Sequence, residues 1–253
     1  MKGPSQIGDG ARKPARMSAG DCNCVSPGLL SAAVGDQGSN EAPGRGAVGV
    51  AGRDGGGLLA RLLHGLAAHT DLHHYTRVPA YWGVLPRLAR AVDLRRGERL
   101  LDVGCGTGIG SRVGQGDYLG FDPDPGSVQL ARRFYPRAGH RFVAMAAPDL
   151  GLRDAAFDKA MLINMVHHLD DATLDGLLGE LRRVVRGRVC VLDIAPDISN
   201  PVERFFNAHD RGRHVRERAA LRAALARRYQ VAAEQVFHNA IHTTAQVLFT
   251  LAP

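Results

Sequence analysis

The stretch LLDVGCGTG, residues 100–108, decides the fold. Apolar residues run into Asp102, and glycine then takes every second position at Gly104, Gly106 and Gly108. The pattern predicts a buried strand that enters a tight turn and opens a helix. Glycine serves such a turn in two ways: it tolerates positive φ and lets the backbone approach a ligand closely. A strand, a glycine loop and a helix in series make a nucleotide-binding device. Spacing then sorts the nucleotide. A dinucleotide loop reads G-x-G-x-x-G. Counted from Gly104 it requires glycine where Ile109 stands, and from Gly106 where Ser111 stands. A P-loop reads G-x-x-x-x-G-K-[ST], and no lysine lies near. What remains is acid-x-G-x-G-x-G, or a glycine-rich turn that binds nothing.

Working outward, strands and helices alternate, which argues for a parallel sheet covered by helices on both faces. Strands are expected over residues 99–103, 118–121, 141–144, 159–163 and 189–194. The clearest helix starts near Asp171, a capping candidate. It carries Leu174, Leu177, Leu178, Leu181 and Val185 at helical spacing. An arginine-rich helical segment follows over 201–228, and then two apolar runs, 231–237 and 244–251, that read as a hairpin. Upstream, residues 1–56 are rich in Gly, Ala, Ser, Asp and Pro with no hydrophobic period, and are expected to be a disordered tail. Residues 57–97 are expected to form a helical cap, with one helix from Leu58 and a second over 81–92 whose first turn holds Pro86. The catalytic domain is expected over 98–253.

Composition bounds the partners. The chain has 253 residues, 45% of them hydrophobic, enough for one α/β domain with an appendage. No run of about 18 apolar residues exists, so no membrane span is expected. No apolar leader is evident at the N-terminus, and a cytoplasmic location is expected. The net charge is +7, but only three of 32 basic residues are lysine, which looks like a compositional bias toward arginine. The basic balance is therefore not read as a nucleic-acid footprint. Of the four cysteines, Cys22 and Cys24 form a lone C-x-C without further ligands near, so neither a metal site nor a disulfide framework is expected.

The acid-x-G-x-G-x-G loop resembles motif I of the class I S-adenosylmethionine-dependent methyltransferases. Two more stretches carry the resemblance. YLGFDPDP ends a second strand in Asp122, and FDKAMLINMVHHL, residues 157–169, is similar to the fourth strand and its exit loop. Together they cover roughly residues 98–196, and the feel is closest to the small-molecule branch that includes quinone-biosynthesis methyltransferases. The resemblance implies a Rossmann-like methyltransferase fold: a seven-stranded, mostly parallel sheet with an antiparallel terminal strand. It also implies S-adenosylmethionine as cofactor. Gly104, Cys105, Gly106 and Gly108 would then form its cradle, and Asp102 would orient the loop and the methionine end. Asp122, followed by Pro123, would receive the ribose hydroxyls, an assignment that dinucleotide folds share. Asp122 follows Asp102 by only twenty residues, so the first helix must be brief. Asn164 would pass the cofactor at the strand end. Many relatives place an acid after the third strand to receive the adenine amino group. That position here is Ala146, which leaves backbone near Ala147, or Asp149, for the task.

Methyl transfer from a sulfonium needs alignment above all, but a hydroxyl or acidic carbon must also lose a proton. Histidine titrates in the right range, so His167 and His168 are the candidate bases. Against this stands a packing or capping role. Tyr81 and Trp82 on the cap, and Arg211, Arg213 and His214 after the fifth strand, are the candidates for an acceptor pocket. The alternatives are core packing for Trp82 and a solvated helix paired with Asp210 and Glu217 for the arginines. The expected activity is methylation of a small molecule at O or C. A catalytically degenerate cofactor-binding protein is the alternative, and an RNA methyltransferase is a third, less favoured because INMVHH lacks the N/D-P-P-[YF] motif of base-methylating relatives.

Overall fold

Two strands of the chain, KAMLI and VCVLDI, are apolar but for Lys159 and Asp193, and all their residues are buried. Such runs belong in the middle of a parallel sheet covered on both faces. A computed structural model places them there; it describes residues 81–146, 151–208 and 212–253, with backbone alone for 205–208. The tail over 1–56, the helix expected from Leu58, and Ala147, Asp149, Asp210 and Arg211 lie outside the described residues.

The elements in order are α1 (Val84–Val92), β1 (Arg99–Val103), β2 (Asp117–Asp122), α2 (Pro125–Phe134), β3 (His140–Ala144), β4 (Lys159–Ile163), α3 (Asp171–Val184), β5 (Val189–Ile194), α4 (Pro201–Ala208), α5 (Arg218–Ala226), β6 (Gln230–His238) and β7 (Ala245–Ala252). One seven-stranded sheet runs β3-β2-β1-β4-β5-β7-β6. The first five strands pair in parallel, and β7 enters antiparallel between β5 and β6. The expected hairpin is thus present, with the strand that is last in the chain tucked inside the sheet and β6 at its edge. The short link expected between Asp102 and Asp122 is a single 3-10 turn, Ile109–Arg112.

Side chains of alternate sign of the pleat feed two cores. Leu101, Val103, Leu162, Val191 and Phe249 meet α3 and α5 on one face. Leu100, Met161, Cys190, Leu192 and Leu248 meet α1 and α2 on the other. Helix α3 buries Leu174, Leu177, Leu178, Leu181 and Val184 completely, each stabilising the fold by about 2 kcal/mol. Its cap is Asp170 rather than Asp171: Asp170 accepts from the backbone of Thr173 at 2.7 Å. Helix α1 starts after Gly83, leaving Pro86 in the first turn, where its missing N–H costs nothing. It packs against β4, β5 and β7, as part of the sheet's own helical layer. The arginine-rich segment divides into α4 and α5.

Candidate functional site

The C-terminal ends of β1, β2 and β4 converge on the glycine loop, where an open parallel sheet offers its binding crevice. Gly104, Gly106 and Gly108 all have positive φ, of 71°, 50° and 86°. The backbone N–H groups of Gly104 and Cys105 both donate to the carbonyl of Phe121 at 2.9 Å, which ties the loop to the end of β2.

The three glycines serve different needs. A Cβ on Gly108 would lie 2.8 Å from Ala131 and 2.9 Å from Phe142, so this position lets α2 and β3 close on the loop. A Cβ on Gly104 would meet Met165 at 3.0 Å, which brings the exit loop of β4 against the glycine loop. A Cβ on Gly106 would meet nothing within 4 Å. Packing therefore explains Gly108 and Gly104, whereas Gly106 borders open space.

Asp122 borders that space, and Asp102 lies buried near it. Asp122 is half-buried; it accepts from the N–H of Gly106 at 2.9 Å with Oδ2 and of Asp124 at 3.0 Å with Oδ1. Asp102 is wholly buried, and its Oδ2 accepts from the Tyr118 hydroxyl at 2.5 Å. Its Oδ1 has no hydrogen-bond partner among the described residues. Burial pushes the Asp102 carboxyl up to about 7; the hydrogen bond from Tyr118 works against this, and the charge of Asp122 adds to it. Burial likewise pushes the Cys105 thiol far up, with Asp102 and Asp122 adding to the effect, so it stays protonated. Pro123 is exposed beside Asp122.

Asn164 sits just past β4 in the left-handed region, with φ 50°. Its side chain is used at both ends: Nδ2 donates to the Tyr81 hydroxyl at 3.2 Å, and Oδ1 accepts from Gln246 at 3.1 Å. The structure thus joins Tyr81 and Asn164, separated by 83 residues. Trp82, next in the chain, is 66% exposed, which excludes the core role.

The two histidines part company. His167 is 3% exposed and bonded to Asp193 of β5 twice, through its backbone N–H at 3.0 Å and its Nδ1 at 2.5 Å. Gly212 lies on its ring, where a Cβ would fall 2.2 Å from Cδ2. Val166, Ile194, His214, Arg216 and Leu221 close round the pair and leave no room for a water molecule. In this arrangement His167 is buried against Asp193: the buried carboxylate required a partner, and the adjacent imidazole supplies it. His168 is exposed, with its ring centroid 4.3 Å from that of His167.

The arginines of the C-terminal segment are largely committed within the protein. Arg216 donates to Asp171 and to the carbonyls of Leu169 and Val166. Arg218 pairs with Asp197 and Glu234, Arg222 with Glu234, and Arg228 with Asp175. Their partners are remote acids; Glu217, expected as one, instead precedes α5 without a side-chain cap bond. Arg213 and His214 are exposed.

Sequence reasoning passed over Tyr118, Asp193, Gln246 and Gly110. Asp193 alone carried a usable signal, as the one acid inside an otherwise apolar strand. Gly110 lies under Asp102: a Cβ there would fall 2.4 Å from Oδ2.

Comparison with known proteins agrees with this geometry. Residues 101–191 match the family model described as a methyltransferase domain. A ribosomal protein L11 methyltransferase of Cupriavidus taiwanensis is 35% identical over 105 residues, which cover 40% of this chain and 32% of that protein. The O-methyltransferase cnsE of Penicillium expansum is 36% identical over 126 residues, covering 44% of this chain and 45% of the relative. The chain thus spans less than half the length of these curated relatives. Among solved structures, the methyltransferase bound to the Trm112 activator of Haloferax volcanii superposes with a TM-score of 0.62 at 16% identity, over 74% of this chain and 96% of that one.

Proposed function

We propose that this chain, whose residues 101–191 belong to the class I S-adenosylmethionine-dependent methyltransferase domains, moves a methyl group to a small-molecule acceptor at oxygen or carbon. The observation that carries the reading is the open space at Gly106, bordered by Asp122, together with a buried Asp102 that keeps one oxygen unpartnered among the described residues. These residues fit a cofactor that presents an ammonium, a pair of ribose hydroxyls and little bulk against the loop.

S-adenosylmethionine, when bound, supplies a methyl group on a sulfonium that leaves readily. The chain's own residues do the rest by placement. Asp102, with Oδ2 held by Tyr118, would offer its remaining oxygen to the ammonium end. Asp122 accepts one backbone N–H on each oxygen and keeps lone pairs for the ribose hydroxyls. Gly104, Cys105 and Gly108 shape the cradle, with Pro123 beside it. The Asn164 backbone forms the floor near the reacting methyl. Ala147, outside the described residues, is assigned to the adenine by its place in the sequence alone.

Tyr81, Trp82, Arg213 and His214 are the described candidates for the acceptor side, and Arg211 belongs with them by position. His168 is the base where the acceptor must lose a proton, and His167, paired with the buried Asp193, holds the fold beside it. Support for a small acceptor comes from the O-methyltransferase relative. A protein acceptor is the second reading, on the strength of the L11 methyltransferase match. We place the enzyme in the cytoplasm; no helix among the described residues is long and apolar enough to cross a membrane.

Calorimetry with S-adenosylmethionine tests the cofactor step, and the folded chain is expected to bind at sub-millimolar concentration. Mass spectrometry of cell extract incubated with enzyme and cofactor then finds the acceptor, as a metabolite or a protein heavier by one CH₂ unit. Tight cofactor binding with no product in either pool would favour the degenerate protein.

A further inference from the structure

Outside the glycine-loop site, Glu203, His238 and His242 bring three ligand atoms within 4.8 Å of one another. They come from three pieces of chain: Glu203 from α4, His238 from the last residue of β6, and His242 from the loop into β7. Two imidazoles and a carboxylate are the donor set of transition-metal sites, in particular zinc sites that keep a coordination position open.

Each ligand is held in place by contacts of its own. Glu203 is fully buried. Its Oε2 accepts from the N–H of Asn200 at 2.9 Å, while its own N–H donates to Asn200 Oδ1 at 3.0 Å. This reciprocal pair is a helix-capping arrangement. It uses one carboxylate oxygen and turns the other, Oε1, toward Nδ1 of His238 at 2.7 Å. His242 is placed by the loop. Asn239 Oδ1 accepts from the N–H of Thr243 at 2.9 Å, and its Nδ2 donates to the Thr243 hydroxyl at 2.9 Å. The N–H of His242 donates to the Asn239 carbonyl at 3.0 Å, and its φ of 51° folds it back over the strand end. The two imidazole rings stack with centroids 5.8 Å apart. Capping explains Glu203 Oε2, and loop closure explains Asn239. Neither explains why two exposed imidazoles converge on one buried carboxylate.

We propose that Glu203, His238 and His242 form a site for a divalent transition metal ion of the zinc type. Ligands bound to one ion at ~2.0–2.2 Å stand roughly 3–4 Å apart. Binding would open the 2.7 Å Glu203–His238 hydrogen bond to this spacing and draw in the other ligand atoms, which all lie within 4.8 Å of one another. His238 and His242 are exposed, so the ion enters from solvent and retains water on its open side. The site also fastens α4 to the β6–β7 loop, two elements otherwise joined by the Glu203–His238 bond.

Titration of the tag-free full chain with Zn²⁺ and with Co²⁺ tests the site, read by calorimetry and by the visible absorption of bound Co²⁺. One equivalent of each ion is expected to bind. His242→Ala removes an exposed loop side chain and should leave the melting temperature of the metal-free protein unchanged, yet weaken binding more than about tenfold. His238→Ala should weaken binding as much, and should also lower the melting temperature of the metal-free protein, because it leaves Oε1 of the buried Glu203 without that partner. No saturable binding of either ion by the folded chain overturns the site. So does binding of equal strength in the His238→Ala, His242→Ala double variant.

Discussion

The hydroxyl of Tyr118 reaches the buried carboxylate of Asp102 across a strand position that has no side chain. In register, Leu100 faces Tyr118 and Asp102 faces Gly120. Tyr118 and Gly120 share a face of β2, and a Cβ on Gly120 would lie 2.8 Å from the Tyr118 hydroxyl. The missing side chain is the passage through which the 2.5 Å bond forms. Tyr118→Phe should therefore cost about 1–3 kcal/mol of stability near neutral pH, measured by urea unfolding. It should also weaken S-adenosylmethionine binding, because the carboxylate loses its only donor among the described residues.

The buried acid gives a pH dependence whose sign is opposite to that of a salt-bridged carboxylate. The Asp102 carboxyl is raised to about 7 in the fold, against about 3.9 in an unfolded chain. The folded protein holds the proton more tightly over that window, so its stability falls as pH rises from about 4 to about 7. Asp102→Asn keeps an acceptor for Tyr118 and removes the ionisation. Its unfolding free energy should lack this decline and exceed that of the parent by about 2–4 kcal/mol at pH 8. The same variant should lose most cofactor affinity. In the parent, binding of the cofactor's ammonium should tighten about tenfold from pH 5.5 to pH 7 as Asp102 ionises. A variant that is both less stable at pH 8 and equally good at binding would refute this role.

Gly106 and Gly108 should fail in different assays. Gly106→Val places bulk where nothing lies within 4 Å. Its cost to the fold is limited to the strain of a β-branched residue at φ 50°, about 1–3 kcal/mol. Calorimetry should show a folded protein with no detectable cofactor binding. Gly108→Ala pushes a methyl group to 2.8 Å from Ala131 and 2.9 Å from Phe142. Thermal melting should expose that variant first, since α2 and β3 must move apart.

What was legible in the sequence divides along physical lines. The strands β1, β4 and β5 were readable to the residue because burial on both faces demands mostly apolar runs, broken here only by Arg99, Asp102, Lys159 and Asp193. The glycine loop was readable because positive φ and close approach both demand glycine. Contacts across the sheet were not readable. The Tyr118–Asp102 bond depends on strand register and on an absent side chain at Gly120, neither of which leaves a periodic trace. The arginine-rich segment misled for a related reason. Charge counting sees Arg216 and Arg228 but not Asp171 and Asp175, which lie 45 and 53 residues away and receive them. The burial of His167 against Asp193 was not readable either, because a polar pair looks like two candidate catalysts until burial is known.

Those arginine pairs predict how the chain treats RNA. Phosphate binding requires cations free to exchange counterions, and it weakens steeply with salt. Arg216, Arg218, Arg222 and Arg228 already face carboxylates. Any affinity for a structured RNA should be weak at 50 mM salt and nearly flat to 200 mM. A steep decline over that range, measured by fluorescence anisotropy, would return the RNA methyltransferase to consideration.

The adjacent histidines give the sharpest division between architecture and chemistry. Removing His167 leaves Asp193 buried with one partner lost and Gly212 facing a void. His167→Ala should therefore destabilise the fold by about 3–5 kcal/mol and lower activity only in proportion to the unfolded fraction. His168 is exposed, so His168→Ala should move the urea midpoint far less than His167→Ala does. If it removes the acceptor's proton, turnover should fall by about 10²–10⁴, and Kd for S-adenosylmethionine should stay constant. For an acceptor that carries no proton to lose, the loss should disappear. Comparing a phenolic acceptor with its pre-ionised analogue separates the two cases. If His168→Ala impairs both acceptors equally, the side chain serves binding rather than proton removal.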